Sequence, residues 1–389
     1  MVTFSPYPQD PRPRRAADAL LNQEMVVDLI CLREGNAPSR EVLNSINVLR
    51  LPLTKHRGGK ISYVYQYCAF ILMASAVLAV RSFRSRYDLV YIHNMPDVLV
   101  LSALVPKMLG AKVVLDLHDP MPELLMTIFQ LAQDSPEVRL IRWLEKWSIA
   151  RANLVLTVNL ACKRLFCSRG CDPEKIKVVM NSPDGDIFPV RAPQVGSATR
   201  PRANQPFVIM YHGSLVERNG LDLAVDAVGR VRAMIPSAEL KIYGPSTPFL
   251  ENVMASARSQ RLDGAVQYLG PRQLESLVAE IEACDLGIIP NHRNVFTEIN
   301  TPTRIFEYLA LGKPVIAPQT PGIQDYFGAE SLFFFEAGNA ADLAEKIEYA
   351  YSHPSRAVEI AQQGQQVYLA HMWSQERQTL VNVTRELLA

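Results

Sequence analysis

Short apolar runs alternate with helix-length stretches along the chain, and a polar linker divides this alternation into two halves. The linker, Arg191–Gln205, is rich in Pro, Ala, Ser and Arg, a composition typical of a domain boundary. Because parallel strands need a crossover that is usually a helix, the alternation predicts an α/β fold with two Rossmann-like, doubly wound parallel-sheet domains. Such sheets bind ligands beyond the carboxyl ends of their strands, so two facing sheets predict one interdomain cleft.

The apolar runs give the expected strand positions. Before the linker they are Met25–Leu32, Leu89–His93, Lys112–Leu117, Leu154–Val158 and Ile176–Met180. After it they are Phe207–Tyr211, Glu239–Tyr243, Val266–Leu269, Leu286–Ile289, Val315–Ile316 and Ser331–Phe335. These runs predict a first domain over residues 1–190, a second over residues 206–370, and a terminal helix over about residues 373–389.

Charge and cysteine content exclude several classes of protein. The net charge of +1 over 389 residues gives no electrostatic basis for nucleic-acid binding. Residues 1–115 nevertheless hold 14 Lys and Arg against 8 Asp and Glu. This excess suits an anionic membrane surface or a phosphorylated acceptor, and chance clustering of solvated charges fits it equally. The six cysteines lack C-x-x-C or zinc-site spacing, so we expect reduced thiols in a cytoplasmic protein that has no signal peptide.

The apolar stretch Tyr63–Val80 lies between two basic groups. Before it come Lys55, Arg57 and Lys60; after it come Arg81, Arg84 and Arg86. The stretch is slightly short for a membrane span, and a buried helix on a parallel sheet has the same composition. We therefore favour a core helix, with an interfacial helix and a span as alternatives.

A sharply bounded helix near the C-terminal end is the strongest candidate for a binding element. Thr301 is suited to the N-cap, Pro302 to the first helical position and Gly312 to the position after the helix. A helix start without acidic side chains is a ready anion site, because its unpaired N–H groups point outward. Glu307, about one and a half turns in, is then a fixed acceptor for hydroxyls of the same ligand. The alternative is an ordinary capped helix with a surface Glu.

This helix resembles the nucleotide-sugar site of the family-4 retaining glycosyltransferases, whose GT-B fold has two Rossmann domains. The resemblance implies that Glu307 binds the ribose hydroxyls, with Arg304 and the amides near Thr303 beside the diphosphate. The family usually has a sugar-contacting Glu eight positions earlier. Here Ile299 stands there, flanked by Glu298 and Asn300, and the sugar contact is expected at one of those two neighbours. The family also implies that the terminal helix crosses back to the first domain.

The loop Tyr211–Asp222 resembles the family's Gly-x-Leu-x-x-x-Lys-Gly loop, in which Gly213 would let the backbone approach a phosphate. Ser214 and Asn219 occupy the positions that are usually basic, which leaves Arg218 as the expected diphosphate cation. A plain strand–turn–helix with a solvated Arg is the alternative.

Three further clusters follow strands of the first half. Asp116–Glu123 resembles the family's His-Asp-x-x-Pro-Glu loop, which implies that His118 lies near the transferred sugar while Asp119 and Glu123 orient it or hold the acceptor. His93–Asp97 suggests Asn94 on the acceptor side, with Asp97 as a helix-start acid. Asn181–Asp184 resembles the family's hinge element.

The Gly-rich acceptor loop of the family is replaced here by the segment Tyr7–Arg15. Its basic side chains are Arg12, Arg14 and Arg15. They are expected either to meet a phosphate of a lipid-linked acceptor or to be exposed charges at a helix start.

Together these features imply a retaining glycosyltransferase of the hexosyltransferase type, acting in polysaccharide biosynthesis. The expected donor is a UDP- or GDP-sugar, and the acceptor is a hydroxyl of a glycan or of a lipid-linked glycan on the inner face of the membrane. No metal cofactor is expected, because no Asp-x-Asp motif follows a suitable strand. Arg218, Arg304 and the helix dipole would then meet the diphosphate charge. The alternatives are a GT-B sugar-nucleotide epimerase or hydrolase, and a non-catalytic GT-B partner subunit.

Overall fold

The computed structural model describes residues 1–54, 59–193 and 205–389, and their contacts divide the chain into two units. The first unit contains residues 1–181 and 376–389, and the second contains residues 182–375. Lys55, Arg57 and most of the linker lie outside the described residues. Residues 182–193 belong with the second unit because the Arg191 N–H donates to the Ala310 carbonyl (2.8 Å) and Gln365 donates to the Arg191 carbonyl (2.7 Å).

The first unit is a sheet covered by helices. Its strands are β1 Val2–Pro6, β2 Asp28–Leu32, β3 Arg40–Leu43, β4 Ile46–Leu51, β5 Leu89–His93, β6 Lys112–Leu117, β7 Leu154–Thr157 and β8 Ile176–Val178. Its helices are α1 Pro11–Leu21, α2 Lys60–Arg84, α3 Leu104–Met108, α4 Met121–Phe129, α5 Pro136–Arg151 and α6 Leu160–Ser168, with a 3₁₀ helix over Asp97–Ala103. The described strands run in the order β3-β4-β2-β1-β5-β6-β7-β8.

Strands β1, β3 and β4 were not expected from the sequence, and β3 pairs with β4 in the antiparallel sense. Asn44 and Ser45 both have positive φ (47° and 66°), as a tight two-residue hairpin turn requires. This hairpin adds an antiparallel edge that was not predicted, whereas the remaining described pairs confirm the predicted parallel sheet.

The second unit is a fully parallel sheet among its described strands. The strands are β9 Phe207–His212, β10 Ala238–Tyr243, β11 Val266–Tyr268, β12 Leu286–Ile288, β13 Val315–Pro318 and β14 Phe333–Phe335, in the order β11-β10-β9-β12-β13-β14. The helices are α7 Leu221–Val231, α8 Pro248–Ser259, α9 Leu274–Ala283, α10 Thr303–Ala310, α11 Pro321–Gln324, α12 Ala340–Ser352 and α13 Pro354–Ala370. A last helix, α14, covers Trp373–Leu388, and from Glu376 onward it belongs to the first unit.

The candidate binding helix α10 starts one residue later than the sequence suggested. Pro302 is its N-cap residue, not its first helical residue. Thr301 does not cap the helix; its hydroxyl donates to the Gly322 carbonyl (2.6 Å) and ties the segment before α10 to α11. Gly312 has φ +69° directly after the helix end, so the expected left-handed glycine is in place.

Helix α2 is a surface helix, and the preferred interpretation as a core helix is wrong. Its Ser62–Arg84 portion is long and apolar enough to cross a membrane, yet only 22% of its most apolar window is buried. Phe70, Ala74 and Leu78 face the protein interior. The opposite face leaves large apolar side chains in solvent, because no described element covers it; they include Tyr65, Leu72, Val80 and Phe83.

Candidate nucleotide-sugar site

Glu307 lies on α10 with its carboxylate held by the last residue of strand β9. Its Oε2 is 2.5 Å from Nε2 of His212. The other imidazole nitrogen, Nδ1, is 2.9 Å from the hydroxyl of Tyr308, which in turn donates to the Met210 carbonyl (2.8 Å). His212 and Tyr308 are buried, whereas 15% of the Glu307 side chain remains exposed. The arrangement fixes one carboxylate oxygen and leaves the group accessible to a ligand.

Arg304, one turn before Tyr308, is anchored to the same strand end. Its Nη1 donates to the His212 carbonyl (2.8 Å), and its guanidinium lies 4.7 Å from the ring centroid of Tyr211. Gly213 follows at φ +121°, a conformation that disfavours any side chain. A Cβ there would come within 3.2 Å of Arg304 Cδ, so glycine also gives the arginine its room. The backbone of Gly213 and the guanidinium of Arg304 thus lie side by side, an arrangement suited to binding an anion.

The loop after Gly213 places Arg218 in a short 3₁₀ turn over Glu217–Asn219. The Arg218 carbonyl accepts a hydrogen bond from the His292 N–H (3.1 Å), and its half-buried guanidinium lies 5.7 Å from the Phe296 ring centroid. Asn219 donates to the carbonyl of the exposed Ser214 (2.7 Å). The position that is usually basic therefore holds a loop-closing amide.

The segment before α10 is fixed through its backbone. The Glu298 carbonyl accepts from the Gly322 N–H (2.9 Å), and a Cβ on Gly322 would lie 2.7 Å from the Asn300 carbonyl oxygen. The Glu298 carboxylate lies 2.6 Å from Nε of the exposed Arg293. Thr303 is the first residue of α10, and no acidic residue occurs in the first turn. The predicted residues Glu298, Asn300, Thr303, Arg304 and Glu307 thus flank one helix start.

In the first unit, His118 follows strand β6 and is held through its backbone. Its N–H donates to Oδ1 of Asn94 (3.2 Å). Its ring Nδ1 is buried and has no hydrogen-bond partner among the described residues. Nδ2 of Asn94 donates to Asp97 (3.0 Å) and to the Asp119 carbonyl (2.7 Å). Asn94 is therefore a buried support for the His118–Asp119 loop, and its predicted contact with the acceptor is wrong.

Glu123, also predicted on the acceptor side, lies inside the unit on α4. It forms an ion pair with Arg169, which also bonds Glu145 at 3.1 Å. Burial raises the pKa of Glu145 to about 8, and the nearby Asp97 adds to the shift. Burial likewise raises the pKa of Asp97 to about 7. The ion pair with Arg169, which Glu123 shares with Glu145, gives Glu123 a structural role.

The basic side chains after β1 are largely engaged within the first unit. Arg12 bonds both carboxylate oxygens of Asp116 (2.9 and 2.5 Å), whose Oδ2 also accepts from Tyr91 (3.0 Å) and lies 3.3 Å from Nδ1 of His93. Burial raises the pKa of Asp116, but the Arg12 charge and the hydrogen bonds outweigh it and hold that pKa well below its usual range. The prediction that Arg12 is an exposed phosphate-binding charge is wrong.

The two neighbouring arginines differ from each other. Arg15 is buried and donates to Oδ1 of Asn181, so it too is unavailable as an exposed charge, and Asn181 is used as its acceptor. Arg14 is half-buried. Asp184 accepts from the Asp186 N–H (3.1 Å) and thereby caps a turn.

Two family models match the chain, one on each side of the linker. "Glycosyl transferase 4-like domain" matches residues 10–182, and "Glycosyl transferases group 1" matches residues 206–353. The chain belongs to the family-4 glycosyltransferases with the GT-B fold.

Two similar proteins share only about a fifth of their residues with this chain. "Probable glycosyltransferase WbjE" of Pseudomonas aeruginosa is 22% identical over 61% of this chain and 59% of the relative. A "D-inositol 3-phosphate glycosyltransferase" of Corynebacterium aurimucosum is 21% identical over 67% of this chain and 63% of the relative. The chain thus spans about three fifths of the length of these relatives.

Solved structures share the fold over nearly the full length. Sucrose-phosphate synthase from Thermosynechococcus elongatus has a TM-score of 0.75 at 19% identity and covers 96% of this chain and 92% of its own. HepE from Anabaena, in complex with UDP, has a TM-score of 0.71 at 17% identity and covers 99% of both chains. At these identities the likeness establishes the GT-B fold.

No role was predicted for His212, the residue that holds Glu307. His212 was recognisable only as the last residue of a strand beside the loop glycine Gly213. Its contact with Glu307 joins positions 95 residues apart, and the pattern around either residue does not reveal that distance. The Asp116 network and Arg169 were missed for the same reason.

Proposed function

We propose that this protein transfers a hexose from a UDP- or GDP-sugar to a hydroxyl of a glycan or lipid-linked acceptor, with retention of the anomeric configuration. The observation that most supports this proposal is the start of α10, where His212 holds Glu307 and Arg304 is anchored beside Gly213. HepE, which shares the fold, is solved with UDP and with UDP-glucose, and this supports a nucleotide-sugar donor.

The charge around the helix start supports the placement of the diphosphate there. The unpaired N–H groups of the first turn of α10 carry partial positive charge, and no acidic residue of that turn opposes it. Arg304 adds a full charge, and Arg218 lies on the loop that follows the same strand. We infer that these groups replace a metal ion in neutralising the leaving diphosphate.

Among the described residues, no group of three His, Cys, Asp or Glu side chains is placed to hold a metal ion. We expect activity to survive EDTA. Loss of activity in EDTA, with recovery on adding Mg²⁺ or Mn²⁺, would contradict the metal-free assignment and leave the proposed donor site unaffected.

A panel of UDP- and GDP-sugars, incubated with lipid-linked and soluble glycan acceptors, tests the function directly. Mass spectrometry should show one acceptor gaining a hexose, and NMR of the product should show the anomeric configuration of the donor. Turnover of the nucleotide sugar without acceptor would instead identify an epimerase or hydrolase. Nucleotide-sugar binding without any turnover would identify a non-catalytic partner subunit.

We propose further that the acceptor lies on the cytoplasmic face of an anionic membrane, in polysaccharide assembly, and that α2 contacts this membrane. Its uncovered apolar face suits the headgroup boundary. Arg84 and Arg86, both exposed at its C-terminal end, suit anionic headgroups. Because Arg12 and Arg15 are bound internally, α2 supplies the membrane contact in place of those residues.

Vesicle co-sedimentation tests the role of α2. Binding should increase with anionic lipid and fall with salt. Leu72→Ser and Phe83→Ser should each weaken it, whereas Met108→Ser, which changes an equally exposed apolar residue of α3, should not. Equal binding of all four proteins, or no binding at low salt, would favour a soluble acceptor.

A further inference from the structure

His212 closes a chain of hydrogen bonds that begins at a backbone carbonyl and ends at Glu307. The Tyr308 hydroxyl is 2.8 Å from the Met210 carbonyl oxygen and 2.9 Å from Nδ1 of His212. Nε2 of the same ring is 2.5 Å from Oε2 of Glu307. All the groups between the two ends are buried, so each link must be a hydrogen bond or carry a penalty for unpaired polar atoms.

Counting protons along this chain determines the state of the imidazole. The Met210 carbonyl can only accept, so the one hydroxyl proton of Tyr308 is used there. Burial raises the pKa of Tyr308 well above its usual value, and the hydroxyl therefore keeps that proton. Nδ1 of His212 must then donate to the Tyr308 oxygen. The last link, to a carboxylate that also only accepts, requires a proton on Nε2 as well.

We propose that His212 is a positioning residue for the nucleotide ribose: its Nε2–H holds Oε2 of Glu307 and aims Oε1 at the ribose hydroxyls. Oε1 accepts no hydrogen bond from the described residues, so it is available to a ligand. The proposal rests on the proposed function, in which Glu307 binds the ribose. When one oxygen of a carboxylate is already held, the side chain loses less conformational freedom as the ligand binds. The affinity for the ligand should be correspondingly higher.

The charges around the pair favour this state. Nε2 of His212 lies 2.5 Å from Oε2 of Glu307, a distance at which a proton on Nε2 is held in a short hydrogen bond. Arg304, whose Nη1 donates to the His212 carbonyl, is a further charged side chain at this strand end. A neutral ring with a bare Nε2 would face the carboxylate lone pair to lone pair, which would push Glu307 away from its position.

Two substitutions separate the roles of the two ring nitrogens. The amide nitrogen of His212→Gln can take the place of Nε2 and keep the bond to Glu307. In the His212→Asn variant, the amide nitrogen can take the place of Nδ1 and keep only the bond to Tyr308. His353→Gln is the matched control, because His353 is an exposed ring stacked on Tyr349 at the start of α13.

Calorimetry with UDP, GDP and their 2′-deoxy and 3′-deoxy forms provides the measurement. The wild-type protein should prefer the ribonucleotide to one deoxy form by roughly tenfold or more, as expected for a hydrogen bond to a charged group. His212→Asn should reduce this preference to about twofold or less, because the carboxylate is no longer held. His212→Gln and His353→Gln should retain most of it.

Glu307→Ala distinguishes failure of the inference from failure of the proposed function. If Glu307→Ala keeps the ribose preference, Glu307 does not bind ribose and the proposed site is wrong. If Glu307→Ala loses the preference but His212→Asn keeps it, the positioning role of His212 is overturned. Should His212→Asn fail to fold, ¹⁵N NMR of the wild-type protein decides: protons on both nitrogens of His212 support the proposal, and a bare Nε2 overturns it.

Discussion

At the scale of single residues, Arg218 and Asn219 are neighbours whose substitution should affect kcat to different extents. Arg218→Ala should lower kcat by roughly tenfold or more, because it removes a charge that stabilises the leaving phosphate. Asn219→Ala removes only the bond to the Ser214 carbonyl, so its effect on kcat should be severalfold smaller. Steady-state kinetics with the best nucleotide sugar compares the two, and Arg218→Lys should recover part of the rate. The reverse order of effects would show that the loop meets the diphosphate through a different residue.

His118 and His93 both have buried ring nitrogens without a hydrogen-bond partner among the described residues of the first unit, and His118 is the one on the predicted sugar-side loop. We predict that His118→Ala lowers kcat by about 100-fold or more while the Kd for the nucleotide changes less than threefold, because a contact to sugar or leaving group acts mainly in the transition state. The buried Nδ1, unpaired among the described residues, motivates this role. Kinetics and calorimetry on the same preparation provide both numbers. Equal losses in affinity and rate would indicate a structural histidine.

At the scale of elements, α4 and α5 each place a buried carboxyl, Glu123 and Glu145, on Arg169. Burial raises the folded-state pKa of Glu145 to about 8, above its ordinary value of 4.5. Between these values the folded state holds a proton that the unfolded state releases, so stability is greatest below pH 4.5 on this account and is lost as pH rises through 8. The unfolding free energy should therefore fall between pH 6 and pH 9.

Glu145→Gln tests this coupling, since the amide keeps an acceptor for Arg169 and cannot ionise. The variant should lose about 1–3 kcal/mol less than the wild type between pH 6 and pH 9 in chemical denaturation. Glu359→Gln, at an exposed ion pair with Arg356, should follow the wild type. A wild-type curve that is flat over this range would mean that Glu145 is ionised in the folded protein throughout.

The elements also show what the sequence could predict. Strands β5 and β6 were found at their observed ends because each is a mostly apolar run that is buried on both faces. The hairpin of β3 and β4 was missed because β3 is half-exposed and β4 contains a buried arginine, Arg50, which is paired with Glu41 at 2.8 Å. A buried charged residue can lie in a strand when a tertiary partner neutralises it. The segment then lacks the apolar composition from which a strand is predicted.

The predictions for the site residues likewise depended on whether the signal was local in the sequence. Glu307, Arg304 and Gly213 were predicted from local patterns at a helix start and a strand end, and the structure places all three beside His212. Arg12 was misassigned because its partner Asp116 is 104 residues away, and Glu123 because Arg169 is 46 residues away. Local patterns predict which residues are charged at a strand end. Only the tertiary structure shows which of those charges are already paired.

At the scale of the whole molecule, the two units depend differently on α14. Its residues from Glu376 onward belong to the first unit, where Oε2 of Glu376 accepts from the Met180 N–H (2.7 Å) and Leu380 is buried. Leu380→Ala should therefore destabilise the first unit by about 2–5 kcal/mol, the usual cost of a cavity in a core. The proposed nucleotide site lies in the second unit, and we expect its nucleotide affinity to be unchanged.

Hydrogen exchange followed by mass spectrometry measures both units in one experiment. Leu380→Ala should speed exchange in β1, β7 and β8, while peptides of β9 and α10 keep the wild-type rate and the protection that UDP or GDP gives. Val383→Ala, a half-buried position on the same helix, should cost less than half as much stability. Loss of nucleotide protection in Leu380→Ala would mean that the first unit supports the nucleotide site, and the assignment of that site to the second unit alone would fail.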